Sequence, residues 1–413
     1  MSVLPLFSSA NPVSPPQPLP SGAGKPRPSR TGRPPQRPPA RSRTAARTSG
    51  LAALLAVVLV LAPAPRAQIA PGQDAPDVAQ PDRQPVRIHV DALGFSVGDT
   101  DDGPMPSQVA VPVRIVAPIA PGVSLSARTA FASASWTDRE GISGLGDVQL
   151  GASALLPVGT ASAVASLRAN LPTGQRTLER AQAETAYLIG QSFFGFPLPT
   201  FGQGLNLAPA ITVALPVGET LALGAGVSYQ YRGAFDPVEG VDATFDPGDE
   251  LMLTAGLDAL LGESTVAALD VSYIAYGTDT YAGNTFDVGD GLEATGLVTH
   301  SLGETELRLA GRVRLRGDGT APPVQTAPEA IVPFGARLLA EAIRTLTPTL
   351  RLGASVQARR YDASDAFEAY TLLDLAVRPE VDLAPGFTLR GHLGGTLGDL
   401  TAVRLGAGAT YEL

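Results

Sequence analysis

The sequence predicts an all-β protein, a transmembrane antiparallel β-barrel of about sixteen strands that follows an N-terminal signal peptide. Three observations predict this fold. Apolar and polar residues alternate along segments of about ten to fourteen residues, longer than the usual globular strand. Tight turns alternate with longer loops between these segments. Gly and Pro are abundant, at 45 and 38 residues, while charged residues make up 17% of the 413 residues, against about 25% in soluble domains.

The composition also excludes several kinds of function. The chain has no cysteine and three histidines, so disulfides and thiolate metal sites are excluded. Nine of the 30 basic residues lie in residues 1–67, which contain no Asp or Glu. The other 21 basic residues, from Gln68 onward, are outnumbered by 39 acidic ones, a formal net charge of −18. Phosphate binding needs the opposite sign of charge, so we expect no nucleic-acid partner.

The first part of the chain has the features of an export signal. Residues 51–62 read LAALLAVVLVLA, an apolar run too short to span a bilayer and typical of a signal-peptide core. We therefore assign residues 1–67 to a signal peptide whose basic, Pro/Arg-rich n-region is too long. A start codon placed too early explains that length, and a basic extension that contacts an anionic surface is the alternative. Residues 68–85 read as a Pro-rich periplasmic linker, and residues 86–413 as an outer-membrane barrel.

From residue 86 onward the hydrophobic pattern has a period of two. In residues 305–316, Leu307, Leu309, Val313 and Leu315 alternate with charged residues. Successive side chains of a strand point to opposite faces, so one face here is apolar and the other charged. The sixteen candidate strands begin near residues 86, 107, 121, 145, 160, 203, 219, 249, 264, 289, 304, 333, 348, 368, 386 and 400. The segment 333–346 and the 398–399 junction are the weakest, so about fourteen strands are possible, and about twelve if further hairpins fail.

The connections distinguish a barrel from a soluble sandwich. Short turns such as 120–122 and 216–218 alternate with longer loops such as 173–203 and 233–248. Short periplasmic turns and longer external loops are typical of transmembrane barrels. A soluble β-sandwich is the alternative, but its inner face needs large, well-packed side chains, whereas the apolar face here is rich in Leu, Val and Ala. Lipid chains can cover such a face without the close side-chain packing that a protein core needs.

Two short motifs and the C-terminus resemble known outer-membrane proteins. Gly144-Leu145-Gly146-Asp147-Val148 and Leu171-Pro172-Thr173-Gly174 resemble the outer-membrane channels of the MetA pathway of phenol degradation, related in style to FadL-like transporters. The resemblance implies that residues 86–413 pass small, often hydrophobic, molecules. A purely structural interpretation remains open, in which the glycines allow a turn and Asp147 starts a strand. The last strand, ending at Leu413, resembles the signal that barrels present to the insertion machinery, although that signal usually ends on an aromatic residue.

The polar faces predict a barrel interior with more arginines than acidic residues. The candidate charge patch consists of Arg308, Arg312, Arg314 and Arg316. In a water-filled pore such a patch sets selectivity, and it predicts a mild preference for anions. The alternative is a ladder of salt bridges that braces the wall or helps to plug the lumen.

The longest loop, residues 173–203, carries an unusual aromatic segment. We expect a helix over residues 177–189, followed by Phe193, Phe194, Phe196 and Phe201. Four phenylalanines are out of place on a solvated loop. The segment is expected either to fold into the pore, as a constriction and an apolar site for the permeant, or to pack on the rim against lipid or another protein.

The remaining polar residues suggest neither catalysis nor a cofactor. His89, His300 and His392 have no assignable Ser or Asp partner, so we expect no enzyme. The acidic external loops, at 99–102 and 236–250, match no calcium-loop spacing, so we expect no metal and no cofactor. The expected function is passive passage of small molecules, with outer-membrane lipid, the insertion machinery and a small permeant as partners. A structural or adhesive barrel with a plugged lumen and acidic binding loops is the alternative.

Overall fold

A computed structural model describes most of the barrel region. The described residues are 85–98, 106–136, 139–320, 332–364 and 368–413. The predicted signal peptide, nearly all of the predicted linker and the acidic residues 99–102 lie outside them. Within the described part, no helix has the length and apolar character needed to cross a membrane.

The described chain forms one large antiparallel sheet and a small one. In chain order the strands are β1 (Arg87–Val97), β2 (Ser107–Ala120), β3 (Val123–Trp136), β4 (Arg139–Leu145), β5 (Val148–Val158), β6 (Ala161–Leu171), β7 (Asn206–Val217), β8 (Leu221–Arg232), β9 (Phe245–Asp246), β10 (Glu250–Leu260), β11 (Thr265–Tyr276), β12 (Asp279–Tyr281), β13 (Asn284–Phe286), β14 (Gly291–Leu302), β15 (Thr305–Arg316), β16 (Phe334–Thr347), β17 (Leu350–Tyr361), β18 (Tyr370–Ala384), β19 (Phe387–Gly398) and β20 (Ala402–Glu412). Helix α1 spans Arg180–Ile189.

The large sheet closes into a barrel. Each long strand pairs with its neighbour in the chain, and β1 pairs with β20 from Arg87↔Glu412 to Val97↔Ala402. β4 and β5 both pair with β3, one after the other, so they form a single strand interrupted at residues 146–147. Counted in this way, the barrel has sixteen strands, which confirms the predicted fold class and count. The weakly predicted segment 333–346 is strand β16.

The apolar residues lie on the outside of this barrel. On β8, Leu223, Val227 and Tyr231 are exposed at 41–50%, while the residues between them are less exposed. Exposed leucines and valines continue in this way on strands from β2 to β20. An apolar surface of this extent is far larger than soluble monomers carry and needs lipid around it. The protein is a transmembrane β-barrel of the outer-membrane type, and the soluble sandwich alternative is wrong.

Seven tight turns lie at one end of the barrel and the longer loops lie at the other. The tight turns fall at the predicted places, for example between β7 and β8, where Gly218 has a φ of 69°. This backbone conformation favours glycine, and it lets the two strands connect through three residues. The described long loops leave the opposite end, and the features that they form follow next.

Two of the long loops fold onto each other as a small cap. Residues 233–249 and 277–290 contain the sheet β9–β12–β13. Phe235, Ala243, Phe245 and Tyr281 form its buried apolar cluster. Asp279, the first residue of β12, is 2% exposed and accepts a hydrogen bond from the Gly248 amide at 2.8 Å. The acidic loop residues therefore lie on a folded cap, with Asp242 exposed on its surface.

Asp279→Asn is expected to stabilise this cap at neutral pH. Burial raises the pKa of the Asp279 carboxyl above its usual range, with the Gly248 hydrogen bond and Arg232 opposing the shift. A raised folded-state pKa favours the protonated form, so stability is highest below about pH 4, the unfolded value, and is lost as the pH rises through the folded pKa. Asn is neutral at every pH and keeps an oxygen for the Gly248 amide.

Limited proteolysis measures this effect. Chymotrypsin at neutral pH is expected to cut the cap of Asp279→Asn more slowly than that of wild type. Pepsin in acid is expected to cut both at the same rate, because Asp279 is then protonated. Asp242→Asn, on the exposed surface of the cap, is the matched control and should change neither rate. Faster neutral cleavage of Asp279→Asn would refute the assignment.

Candidate functional site

The longest loop turns into the barrel instead of extending away from it. We call residues 173–203 the inward loop. Its helix starts at Arg180, three residues later than predicted, because Thr177 and Leu178 bond to the cap instead. Thr177 Oγ1 donates to the Asp236 carbonyl oxygen at 2.8 Å, and the Leu178 amide donates to the Pro237 carbonyl oxygen at 3.1 Å. The inward loop and the cap are thus fastened together at the external end.

Helix α1 packs on the inner face of β3 and β4. Thr185 is fully buried, and its hydroxyl donates to the Glu140 carbonyl oxygen at 2.7 Å. Ala132 and Ala134, on β3, belong to the same apolar cluster as Ala186 of the helix. Because alanine side chains are short, the helix can approach this part of the wall closely.

The four phenylalanines of the inward loop are buried inside the barrel. The Phe193 ring stacks on Tyr370 with centroids 4.4 Å apart, and the Phe196 ring meets the edge of Phe95 at 4.7 Å. Phe201 has no exposed surface. Burying each such ring contributes about 1.5–3 kcal/mol, so the segment is firmly held. Of the two predicted placements, the inward one is observed.

Polar groups of the wall hold the backbone of the same segment. Gln108, on β2, bonds twice to Leu198: its amide nitrogen donates to the carbonyl oxygen at 2.7 Å, and its side-chain oxygen accepts from the amide at 2.8 Å. Arg359, on β17, donates to the Phe193 carbonyl oxygen at 2.8 Å. Asp374 orients that guanidinium through contacts of 2.6 and 2.9 Å and also accepts from Arg404 at 3.3 Å. The segment is therefore positioned by a buried ionic network as well as by its rings.

A single carboxylate fastens the two ends of the inward loop to each other. Asp147, between β4 and β5, accepts from the amides of Gly174 and Gln203, both at 2.9 Å, and from the Asn170 side chain at 2.6 Å. Thr173 Oγ1 accepts from the Val148 amide at 2.8 Å. The two motifs that suggested a family resemblance are thus neighbours here, and they fix the neck of the loop. The sequence did not predict this role, because it depends on a contact between distant segments.

Asp147→Ala is expected to loosen the inward loop. Hydrogen bonds to a charged group contribute about 1.5–3 kcal/mol each, and three are lost here. Arg176 and Arg180 lie in the loop, so trypsin should cut the variant there while wild type resists. Asp362→Ala is a matched control at the same end of the barrel, because Asp362 forms an exposed pair with Arg360. If Asp147→Ala is as resistant as the control, Asp147 does not hold the loop.

A cavity remains between the inward loop and the opposite wall. Its volume is about 630 Å³. Residues Gln191, Ser192, Gly195, Phe196 and Pro199 form the loop side. Among the residues that the structure describes, the wall side carries six arginines against two glutamates, a formal excess of four positive charges. These charged residues are Arg168, Arg312, Arg314, Arg337, Arg359, Arg404, Glu250 and Glu293.

The predicted charge patch divides between the cavity and the wall. Arg312 and Arg314 border the cavity. Arg308 lies away from it and pairs with Glu306 and with Glu341, the latter at 3.6 Å. Arg316 donates to the Val288 carbonyl oxygen at 2.6 Å and lies over the Tyr276 ring, 4.2 Å from its centroid. Glu341 also pairs with Arg378 at 3.2 Å. A salt-bridge ladder and a basic cavity therefore occur at different places in the same lumen.

The sequence argument missed Arg337, which lies in the wall of the cavity. Arg337 is four residues before Glu341 on β16, so both side chains lie on the same face of the strand. The alternation of apolar and polar residues would therefore have placed Arg337 inside the barrel. Among the phenylalanines, Phe196 borders the cavity. Phe193, Phe194 and Phe201 are buried in the packing between loop and wall, so they support the loop instead of facing a solute.

Comparisons with known proteins find similar folds but no family. No protein-family model and no curated protein matches the chain. Among solved structures, the COG4313 outer membrane channel from Pseudomonas putida F1 aligns at 12% identity over 84% of this chain and 100% of that one, with a TM-score of 0.41. An anion-selective porin from Comamonas acidovorans aligns at 12% identity over 79% of this chain and 98% of that one, with a TM-score of 0.40. OccK7 from Pseudomonas aeruginosa aligns at 10% identity over 80% of this chain and 99% of that one, with a TM-score of 0.40.

These similarities concern the barrel fold alone, and we transfer neither substrate nor selectivity from these proteins to this chain. The resemblance to channels of the MetA pathway stays a prediction. Within the described ranges, no group of three or more His, Asp or Glu side chains is arranged to hold a metal ion.

Proposed function

We propose that this protein is a channel for the passive passage of small molecules across the outer membrane, with a preference for anions. The observation that supports it best is the cavity beside the inward loop, where six arginines and two glutamates line about 630 Å³. A polar space enclosed by an apolar-coated barrel is a route for solutes that lipid excludes. It is a transport protein under this proposal and not an enzyme.

The preference for anions follows from the charge around the cavity. Fixed charges in a narrow polar space act on a passing ion within about 8 Å, the screening length at physiological salt. An excess of positive charge raises the local concentration of anions and lowers that of cations. Glu293, already counted in this excess, pairs with Arg312 at 2.7 Å. Asp374 pairs with Arg359 and Arg404, so it reduces the excess without reversing it.

The inward loop acts as the constriction in this proposal. Phe196, Ser192 and Gly195 border the cavity, and the buried rings beside them hold that surface in place. The solute then passes between Phe196 and the arginine-bearing wall. Insertion into the membrane would use β20, which closes the barrel against β1.

Planar-bilayer recording tests the proposal. The purified barrel is expected to give stable conducting steps, and a KCl gradient is expected to give a reversal potential displaced toward that of chloride. A reversal potential displaced toward that of potassium would contradict the anion preference.

An absence of conducting steps would favour the plugged barrel instead. The observation that favours a plugged barrel is the firm packing of the inward loop against β1–β4, β17 and β18.

A further inference from the structure

Two side chains of the inward loop have buried polar atoms beside the cavity without a hydrogen-bond partner. Gln191 and Ser192 both border the cavity. Gln191 is 3% exposed, and neither its Oε1 atom nor Ser192 Oγ has a partner among the described residues. A buried polar group left unsatisfied costs free energy, and such groups nearly always have a partner in folded proteins. Unsatisfied atoms in the lining of a cavity therefore indicate that the cavity binds a polar ligand.

The two side chains determine what that ligand must offer. The Gln191 side-chain nitrogen donates to the Tyr187 carbonyl oxygen at 2.8 Å. Because only the nitrogen of an amide can donate, this bond fixes the orientation of the side chain and leaves its oxygen as an acceptor. The Ser192 hydroxyl can both donate and accept. A ligand that satisfies Gln191 must therefore bring an O–H or N–H donor, which neither a carboxylate nor a hydrocarbon chain supplies.

The adjacent wall adds one positive charge. Arg404 borders the cavity, and its Nε atom is also buried with no partner among the described residues. Arg359 and Arg404 share the carboxylate of Asp374, at 2.6 and 3.3 Å. Two guanidinium groups and one carboxylate leave a single positive charge, which attracts a carboxylate and repels an ammonium group. The donor that Gln191 requires is therefore a neutral hydroxyl, and the same ligand carries one carboxylate.

Gly195 brings the loop and the two arginines together. A Cβ on this residue would lie 3.2 Å from Arg404 Nη2 and 3.4 Å from Arg359 Nη1, so both guanidinium groups lie close to its backbone. Its φ of 73° is in the region that favours glycine. Ser192 precedes Gly195 by three residues, a distance of at most about 10 Å. One small molecule can therefore contact Ser192 and Arg404 at the same time.

We propose that Gln191, Ser192 and Arg404 form a binding site for hydroxy acids, molecules in which a short carbon chain carries one carboxylate and several hydroxyl groups. The carboxylate pairs with Arg404, and the hydroxyls bond to Gln191 and Ser192. The proposal rests on the proposed channel function and names the class of solute that the cavity holds. A solute held there interrupts the current of smaller ions.

Three six-carbon solutes test the two requirements separately. Gluconate carries a carboxylate and hydroxyls, hexanoate carries the carboxylate without hydroxyls, and sorbitol carries hydroxyls without a charge. In single-channel recordings at about 0.15 M KCl, gluconate is expected to interrupt the current at roughly tenfold lower concentration than either of the others. Equal block by gluconate and hexanoate would overturn the hydroxyl contacts. Equal block by gluconate and sorbitol would overturn the contact with Arg404.

Two substitutions of similar size assign the effect to the loop. Ser192→Ala removes the hydroxyl, and Gln191→Met removes the acceptor. Each is expected to weaken block by gluconate roughly threefold and to leave block by hexanoate unchanged. Ser135→Ala is the matched control, because Ser135 is exposed on β3 and bonds to Ser107 at 2.9 Å, away from the cavity. A preference for gluconate that survives in both loop variants would overturn the assignment.

The outcomes also separate this site from the channel itself. If the protein conducts with a preference for anions but gluconate and hexanoate block equally, the channel stands and the hydroxy-acid site is overturned. If the protein shows no conducting steps, the channel proposal fails, and saturation-transfer NMR of gluconate with the purified barrel decides the site. The transfer is expected to fall in Ser192→Ala, and an equal transfer overturns the site. The heat-dependent gel shift of a folded barrel checks that each variant is intact.

Discussion

Deletion of residues 191–201 is expected to raise the single-channel conductance roughly two- to threefold, because pore conductance follows the free cross-section. This segment forms the loop side of the cavity, with Phe196 at its edge. A Cβ on Gly190 would lie 3.5 Å from the Pro199 carbonyl oxygen, so the chain returns to the end of α1 three residues before Gly202. The variant joins Gly190 directly to Gly202.

The control for this deletion removes the same number of residues from the cap. Deleting residues 278–288 takes away β12 and β13 but leaves the inward loop in place. We expect its conductance to stay close to that of wild type. An unchanged conductance after deletion of 191–201 would show that the segment does not limit the current, and the constriction would have to be placed elsewhere in the lumen.

Asp374→Ala is expected to have the largest effect on stability. Asp374 is 6% exposed and holds Arg359 and Arg404 on the inner wall. Removing it leaves two guanidinium groups without their shared carboxylate in a buried place. Breaking a buried pair in this way costs about 3–5 kcal/mol. Because Arg359 also donates to the Phe193 carbonyl oxygen, the inward loop should loosen at the same time.

Urea unfolding in detergent micelles or vesicles measures the cost. The matched control is Glu380→Ala on the same strand, whose partner Arg351 is 3.0 Å away and much more exposed. Exposed ion pairs contribute about 0–1 kcal/mol, so the control is expected to unfold near the wild-type midpoint. If both variants lose the same small amount, the network around Asp374 does not hold the loop.

The barrel itself could be predicted from the sequence, because its signal is local. Each strand carries its own alternation, as β8 does from Leu221 to Tyr231, and each tight turn has its own Gly or Pro. The sixteen strands follow from counting these segments. For the Phe segment the sequence could only narrow the position to two places, inside the pore or on the rim. Four phenylalanines exposed to water are costly, so a solvated loop was excluded.

The candidate site was harder to predict, because it depends on contacts between distant segments. Arg312, Arg337 and Arg359 form a row only through the register of three strands, and one residue of slip would send an arginine into the lipid. Asp147 accepts hydrogen bonds from the amides of Gly174 and Gln203, which follow it in the chain by 27 and 56 positions. Such contacts leave no periodic pattern in the sequence. The alternation of apolar and polar residues therefore identified the inner face without showing which residues meet there.

One labelling experiment tests the central claim, that neighbouring residues of a strand face lipid and a water-filled lumen in turn. The chain has no cysteine, so single cysteines can be placed without a background. Ser228 borders the cavity, and Val227, the preceding residue, is exposed on the outer face. In vesicles, a charged water-soluble thiol reagent is expected to label Ser228→Cys and to leave Val227→Cys unmodified. Equal labelling of both positions, or labelling of Val227→Cys alone, would contradict the account.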